Sequence, residues 1–328
     1  SQSLTNRASD LSALLDSMGQ GIQTIKAANE GIESITEFVQ QAKSVANQAR
    51  DEANKVASSS GMYDSTKIEA ATKFQLSVTY NGETKSVEVT APKAAATGVE
   101  MAAKIQEELE KLTFGTPATA LGGDVFEVTY EDDAFKMTSA NGEEAKISFE
   151  VGGAKMDATA GNANRVKAIS QFNDILDQID QLAKDSGYKG VNLLGGTDQS
   201  LTVIFNEDRS SNLTIQGVDA STKGLDISRV TDWGSNTNID ASIEEVEDAI
   251  NELRNMASEF GNNYSIVQNR EDFTENLINV LEEGSDKLVL ADMNEESANM
   301  LALQTRQQLG VNSLSLASQA AQAVLKLF

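Results

Sequence analysis

Residues 4 to 57 carry the most restrictive pattern in the chain. Leu11, Met18, Ile25, Ile32, Val39 and Ala46 stand seven residues apart, and Leu14, Gly21, Ala28, Ile35, Ala42 and Ala49 stand three further on each time. That is an a/d seam sustained over six heptads with no proline to break it. Gly21 and Gly31 are its weak points, where a bend is tolerated. A helix of this kind cannot bury its seam alone, so it needs a helical partner.

A second seam lies far along the chain. Ile243, Val246, Ile250, Leu253, Ala257, Phe260, Tyr264 and Val267 recur by threes and fours, with Ser242 as the expected N-cap. Glu271 and Thr274 then occupy core positions before Ile278 and Leu281 resume the pattern. Glu244, Glu245, Glu247 and Asp248 fall in the expected first turn, where negative charge suits the helix dipole. Two long seams in one chain predict an antiparallel, coiled-coil-like rod. Its packing is assigned to Leu11, Met18, Ile25, Ile32 and Val39 on one helix and to Ile250, Leu253, Phe260 and Tyr264 on the other. Heptads alone do not separate this rod from a generic coiled-coil stalk.

Between the seams the period changes. Ser58-Ser59-Ser60-Gly61 reads as a linker. Phe74, Leu76, Val78 and Tyr80 then alternate up to Asn81-Gly82, and Val87 and Val89 follow, which is a hairpin signature. Thr97 and Glu100 form a capping box before a short helix with Val99, Ala102, Ile105, Leu109 and Leu112 expected inward. Phe126, Val128 and Tyr130 alternate next, Asp132-Asp133 turns the chain toward Phe135 and Met137, and Ile147, Phe149 and Val151 form the last expected strand. Residues 63–163 are therefore expected to form a separable α+β unit.

Helix returns near Asn164, with Val166, Ile169, Phe172, Leu176, Ile179 and Ala183 as the expected apolar stripe. The glycine-rich run from Ser186 to Gly196 is not a phosphate loop, because it lacks Gly-Lys-Ser/Thr and lacks the dinucleotide glycine spacing. Leu201, Val203 and Phe205 pair with Leu213 and Ile215 as a hairpin across a polar loop. The last stretch, from Leu290 to Phe328, holds only five charged residues and much alanine, glutamine and leucine. Leu314, Ala317, Ala321, Val324 and Phe328 mark one shallow apolar stripe, suited to burial against other helices. The net charge is −1 over residues 288–328 against −13 over 163–287. A near-neutral end suits a crowded interface, where charges would go unpaired.

Composition removes whole classes of function. The net charge of −24 leaves no basic face for nucleic acid or an anionic membrane surface. The chain contains no cysteine and no histidine. Disulfides, Cys/His zinc sites and Ser-His or Cys-His nucleophile pairs are thereby excluded. No apolar run reaches the length of a membrane span, and no membrane insertion is expected. Carboxylates are abundant without forming a catalytic constellation, so no enzyme and no cofactor are expected. Glu131, Asp132 and Asp133 are the one weak candidate for a calcium site, against a solvated turn. Tyr188 and Trp233 could stack on a sugar, against simple packing.

Three motifs carry a resemblance. LADMNEESANM, at residues 290–300, leads into a Gln- and Ala-rich helix ending in VLKLF. QFNDILDQIDQLAKD precedes the Tyr188-to-Leu194 turn, an aromatic-x-Gly-x-x-Leu-Leu pattern. NREDF stands mid-helix at Asn269–Phe273. Together they resemble bacterial flagellins over residues 4–57 and 164–328, while 63–163 is similar only to that family's variable outer domains. The resemblance implies a structural subunit of an extracellular filament of the bacterial flagellum. Self is the main partner, with an export chaperone and a filament cap as further partners. Two departures stand out. Flagellins begin with roughly 50 further residues, so an amino-terminal segment is expected to precede Ser1. The Arg-rich patch read by an innate immune receptor is replaced by Val39-Gln40-Gln41-Ala42-Lys43-Ser44-Val45.

The expected fold class is thus mainly α with an inserted α+β domain: a rod built from both chain ends, with a β-rich outer domain at its tip. The expected division is 1–62 and 164–287 for the rod, with a β-hairpin in the latter, 63–163 for the insert, and 288–328 for an assembly helix. The alternatives are a flagellin-like surface protein whose insert binds a polysaccharide or a cation, and a hook–filament junction protein.

Overall fold

The computed structural model describes residues 1–121 and 125–327. In chain order the elements are α1 (Gln2–Asp51), β1 (Ala57–Ser58), β2 (Lys73–Tyr80), β3 (Glu83–Thr90), α2 (Gly98–Lys111), β4 (Thr113–Phe114) and β5 (Thr119–Ala120). They continue with β6 (Phe126–Glu131), β7 (Ala134–Ser139), β8 (Ala145–Val151), β9 (Ala154–Ala160), α3 (Ala163–Asp185), β10 (Ser200–Ile204), β11 (Asn212–Gln216) and α4 (Asn236–Leu325). The chain divides into two compact units. One holds Ser1–Lys26, Leu201–Ile215 and the residues from Asn262 on, and the other holds Ala27–Ser200 and Gln216–Gly261.

The larger unit contains the inserted sheets. Alternation of apolar and polar residues gives β2 a buried face of Phe74, Leu76 and Val78. It lies in a four-stranded antiparallel sheet of order β3-β2-β8-β9, beside a three-stranded sheet β1-β7-β6. Asn81 and Gly82, at φ 51° and 79°, close the β2–β3 hairpin in the left-handed region such a two-residue turn requires. Thr97 Oγ1 accepts from the Glu100 amide at 3.2 Å, so the capping box forms as its residues dictate. Phe126, Phe135, Met137, Ile147, Phe149, Met101 and Ile105 share one core.

Four readings change here. Val99 is 65% exposed and Leu112 only half-buried. α2 starts at Gly98, so its inward face is Met101, Ala102, Ile105 and Leu109. Strand β9 was absent from the sequence pattern, since KMDATA carries little apolar character, yet it pairs along β8 through the Gly152-Gly153 turn. The run after α1 is not a free linker, because the Ser59 and Ser60 amides donate to Phe135 O and Lys155 O, both at 2.8 Å. Val166 is exposed and Ile169 half-buried, because α3 buries Arg165, Ala168, Phe172, Leu176, Ile179 and Ala183 instead.

The helices of this unit bury Ile32, Ile35 and Val39 of α1 and Val246, Ile250, Leu253 and Phe260 of α4. Lys43 pairs with Glu247 at 3.0 Å, and Arg50 pairs with Asp240. Numbers fall along α4 as they rise along α1, so the helices run antiparallel. A Cβ on Gly31 would overlap Ser186 and the Leu194 side chain, so glycine permits the close approach of the 186–194 turn. That turn places Leu193 and Leu194 fully inside. Asn192 Nδ2 caps the end of α3 by donating to Ala183 O at 2.7 Å. Helix α4 starts six residues before the expected Ser242. Ser235 Oγ accepts from the Asn238 amide at 3.2 Å as the N-cap, and Ser242 is an interior residue whose Oγ accepts from Trp233 Nε1 at 3.0 Å. Glu244, Glu245, Glu247 and Asp248 therefore lie beyond the first turn and do not cap.

In the smaller unit, Ala8 and Leu11 pack with Ile278 and Leu281. The Thr5 and Ser285 hydroxyls meet at 3.0 Å, again with opposed chain directions. Met18 and Ile25 are fully buried and Tyr264 half-buried. Val203, Phe205 and Ile215 of the β10–β11 hairpin are buried, and Arg7 pairs with Glu207 at 2.7 Å.

Candidate assembly interface

The seam of α4 stops burying side chains after Ser285. Every described residue from Asp286 to Leu327 is exposed, although the segment stays helical to Leu325. Leu314 is 72% and Val324 55% exposed, and Ala317 and Ala321 share their exposure. Phe328 lies outside the described residues. Leu288, Met293, Met300 and Leu301 are also turned out. Isolated helices without tertiary cover are marginal in water. The last charged pair before it is Glu283 with Lys287, at 2.8 Å. The hydrogen bond from Lys287 holds the Glu283 carboxyl below its ordinary range.

The NREDF segment has a distinct arrangement. The Arg270 guanidinium lies over the Phe205 ring at 4.6 Å and over Phe273 at 5.7 Å. Its Nη2 donates to Ser211 Oγ at 3.0 Å, so Arg270 ties the β10–β11 hairpin to α4. Glu271 occupies a seam position against Gly19, where an added Cβ would stand in ordinary contact with the carboxylate, at 3.7 Å. Burial, and then the neighbouring charges of Asp272 and Glu275, push the Glu271 carboxyl above its ordinary value. No basic side chain reaches it among the described residues.

The other candidates resolve into packing or solvated polar groups. Asp132 and Asp133 form the β6–β7 turn, and Asp132 is paired with Lys136 at 2.8 Å. Among the described residues no acidic side chains gather as a metal-holding group. Trp233 is fully buried, edge-on to Phe172 at 5.1 Å, and Tyr188 closes a tight turn with Val191. A cleft of about 430 Å³ between the four-stranded sheet and α3 is lined by Thr79, Tyr80, Glu143, Lys146 and Lys167 among others. Burial, reinforced by the hydrogen bond to Glu143, pushes the Tyr80 hydroxyl up to about 12, so it stays a donor. Among the described residues no helix is long and apolar enough to cross a membrane.

Antiparallel helices, an insert between them and a long helical end that buries nothing within its own chain define a class of helical proteins whose terminal helix is free to pack. Known proteins show what this chain is similar to. Residues 243–328 match the family model of the bacterial flagellin C-terminal helical region. The chain is 31% identical over 180 residues to a flagellin of Brucella melitensis, covering 52% of this chain and 64% of that protein. It is 29% identical over 175 residues to flagellin FljK of Caulobacter vibrioides, covering 53% and 64%. Over 86 residues it is 43% identical to flagellin C of Rhizobium meliloti, covering 26% and 27%. The chain is consistent with a flagellin, and it spans under two thirds of the length of these relatives.

Proposed function

We propose that the chain is a structural subunit of an extracellular bacterial flagellar filament, which polymerises with copies of itself. The observation that carries this reading is the exposed apolar helix from Asp286 to Leu327. The flagellin likeness, which includes that segment, supports it. Polymerisation calls for a heterologous contact that does not close, and an uncovered helix end offers one. Leu314, Ala317, Ala321 and Val324, with Phe328, are the assigned contact positions. Residues 1–62 and 164–287 form the rod in this reading, 63–163 the outer domain and 288–328 the assembly helix. An export chaperone and a filament cap are its further partners. No catalysis is assigned, in keeping with a structural family.

The test is filament formation followed by electron microscopy and sedimentation, with Leu314→Glu and Val324→Glu introduced together. Charges on that face should abolish polymers while leaving the fold of residues 1–285 unchanged by circular dichroism. Filaments of normal length from the double variant would refute the reading.

A further inference from the structure

Arg165 is the deepest charged side chain among the described residues, at 2% exposure. Among the described residues no carboxylate forms an ion pair with it, although the Glu52 charge is near enough to favour its protonated form. Its Nε donates to Glu52 O at 2.8 Å, Nη1 to Trp233 O at 3.1 Å and Gly234 O at 3.2 Å, and Nη2 to Asn236 Oδ1 at 2.6 Å. Those acceptors come from the chain leaving α1 and from the chain entering α4, while Arg165 itself stands in the first turn of α3. Burial, with the like charge of Arg50, pushes the guanidinium below its ordinary value, although it remains protonated.

A second side chain ties in the inserted sheets. Asn54 Nδ2 donates to Ser139 O at 2.9 Å and to Gly234 O at 2.7 Å, so Asn54 joins the end of β7 to the carbonyl that Arg165 also uses. Gly234 is required there, since a Cβ on it would overlap the Ala140 carbonyl. Asn162 Nδ2 donates to Ala53 O at 2.8 Å, which closes the two strands of chain that enter and leave the insert against each other.

We propose that Arg165 and Asn54 form a rigid clasp that fixes the orientation of the inserted sheets on the helices, where a connection through two chain crossings would otherwise hinge. A buried charge satisfied only by carbonyls and an amide tolerates no partial engagement. Losing one segment leaves the guanidinium unpaired and desolvated, so the segments are held together or released together. The clasp is independent of the filament reading. In any assembly of this chain it makes the insert point one way in every copy and transmits load between insert and helices.

The absence of cysteine makes the test direct, because two introduced cysteines are the only labelling sites. Spin labels at Gln41→Cys on α1 and Thr90→Cys on β3, both exposed positions, report the insert-to-helix distance by pulsed electron paramagnetic resonance. The parent should give one narrow distribution. Arg165→Ala should broaden it about twofold or more, with circular dichroism unchanged. Proteolysis near Ala53–Val56 should also accelerate about tenfold, as when a local opening becomes ~1.4 kcal/mol easier. Arg165→Lys, which supplies fewer donors in one direction, should rescue only in part. A parent-like width in Arg165→Ala would overturn the clasp. If that variant does not fold, Asn54→Ala decides: broadening supports the proposal and a parent-like width refutes it.

Discussion

Glu271 stands where the α4 seam calls for an aliphatic side chain, and its raised carboxyl value gives a signed prediction. A carboxyl raised in the folded state binds its proton more tightly there than in the unfolded chain. Its favourable contribution is therefore full at pH below the ordinary glutamate value and is lost as pH rises through the raised one. Glu207 and Asp177 act in the opposite sense. Hydrogen bonding and the Arg7 and Arg229 partners hold them low, so they stabilise above the ordinary values and cease to as the pH falls through their lowered values. Glu271→Gln should thus raise stability at pH 7 and remove one component that grows on mild acidification. Denaturant midpoints across pH 4–7 would check this, and an unchanged midpoint at pH 7 would count against the seam carboxylate. Ile32 and Leu253 test the apolar part of the helix pair. They are 2% and 0% exposed, so alanine at either should cost about 2–5 kcal/mol, read from chemical unfolding. A loss under about 1 kcal/mol at both would show that these sites collapse without a cavity.

At the scale of elements, much of the molecule was legible because periodicity reports burial. The heptads of α1 give its buried face from Leu11 to Ala49, and the alternation around Asn81-Gly82 gives β2 and β3. What escaped was set by contacts distant in sequence. Arg165 lies one residue before the apolar Val166 that seemed to open the α3 stripe. Stepping back from Phe172 by four and then three would have landed on Ala168 and Arg165, but a core position filled by arginine gives no apolar signal. Ser242 looked like a cap because serine before an acidic turn usually is one, whereas the Trp233 indole claims its hydroxyl in the interior. The stacking of Arg270 on Phe205 was not readable, since the two come from separate elements. Gly31 makes the element-level test. Alanine there would press on Ser186 and Leu194, so Gly31→Ala should destabilise by about 1–3 kcal/mol despite its better helix propensity. Thermal unfolding would measure it, and a stabilised variant would mean that the 186–194 turn yields freely.

For the whole molecule, charge and apolar surface set opposing demands on association. The net charge of −24 makes copies repel, while the segment from Leu288 to Leu327 offers apolar faces with few charges. Repulsion between exposed charges weakens as the Debye length shortens from about 30 Å at 0.01 M salt to about 10 Å at 0.1 M. Apolar contact is strengthened by sulfate and phosphate, which are excluded from protein surfaces. Under the filament reading, association should therefore be suppressed at low ionic strength and promoted by ammonium sulfate, with sodium chloride intermediate. Deleting Ala317–Phe328 removes all of the stripe assigned to assembly except Leu314, while leaving every buried residue of the two units in place. Light scattering across a salt series should show the parent associating and the truncated chain staying dispersed at every concentration. The thermal midpoints of the two should match, because the described residues among those deleted, 317–327, are all exposed in the single chain. Equal association by both proteins would place the assembly contacts elsewhere. A lowered midpoint in the truncated chain would show that the carboxy-terminal helix packs within its own molecule.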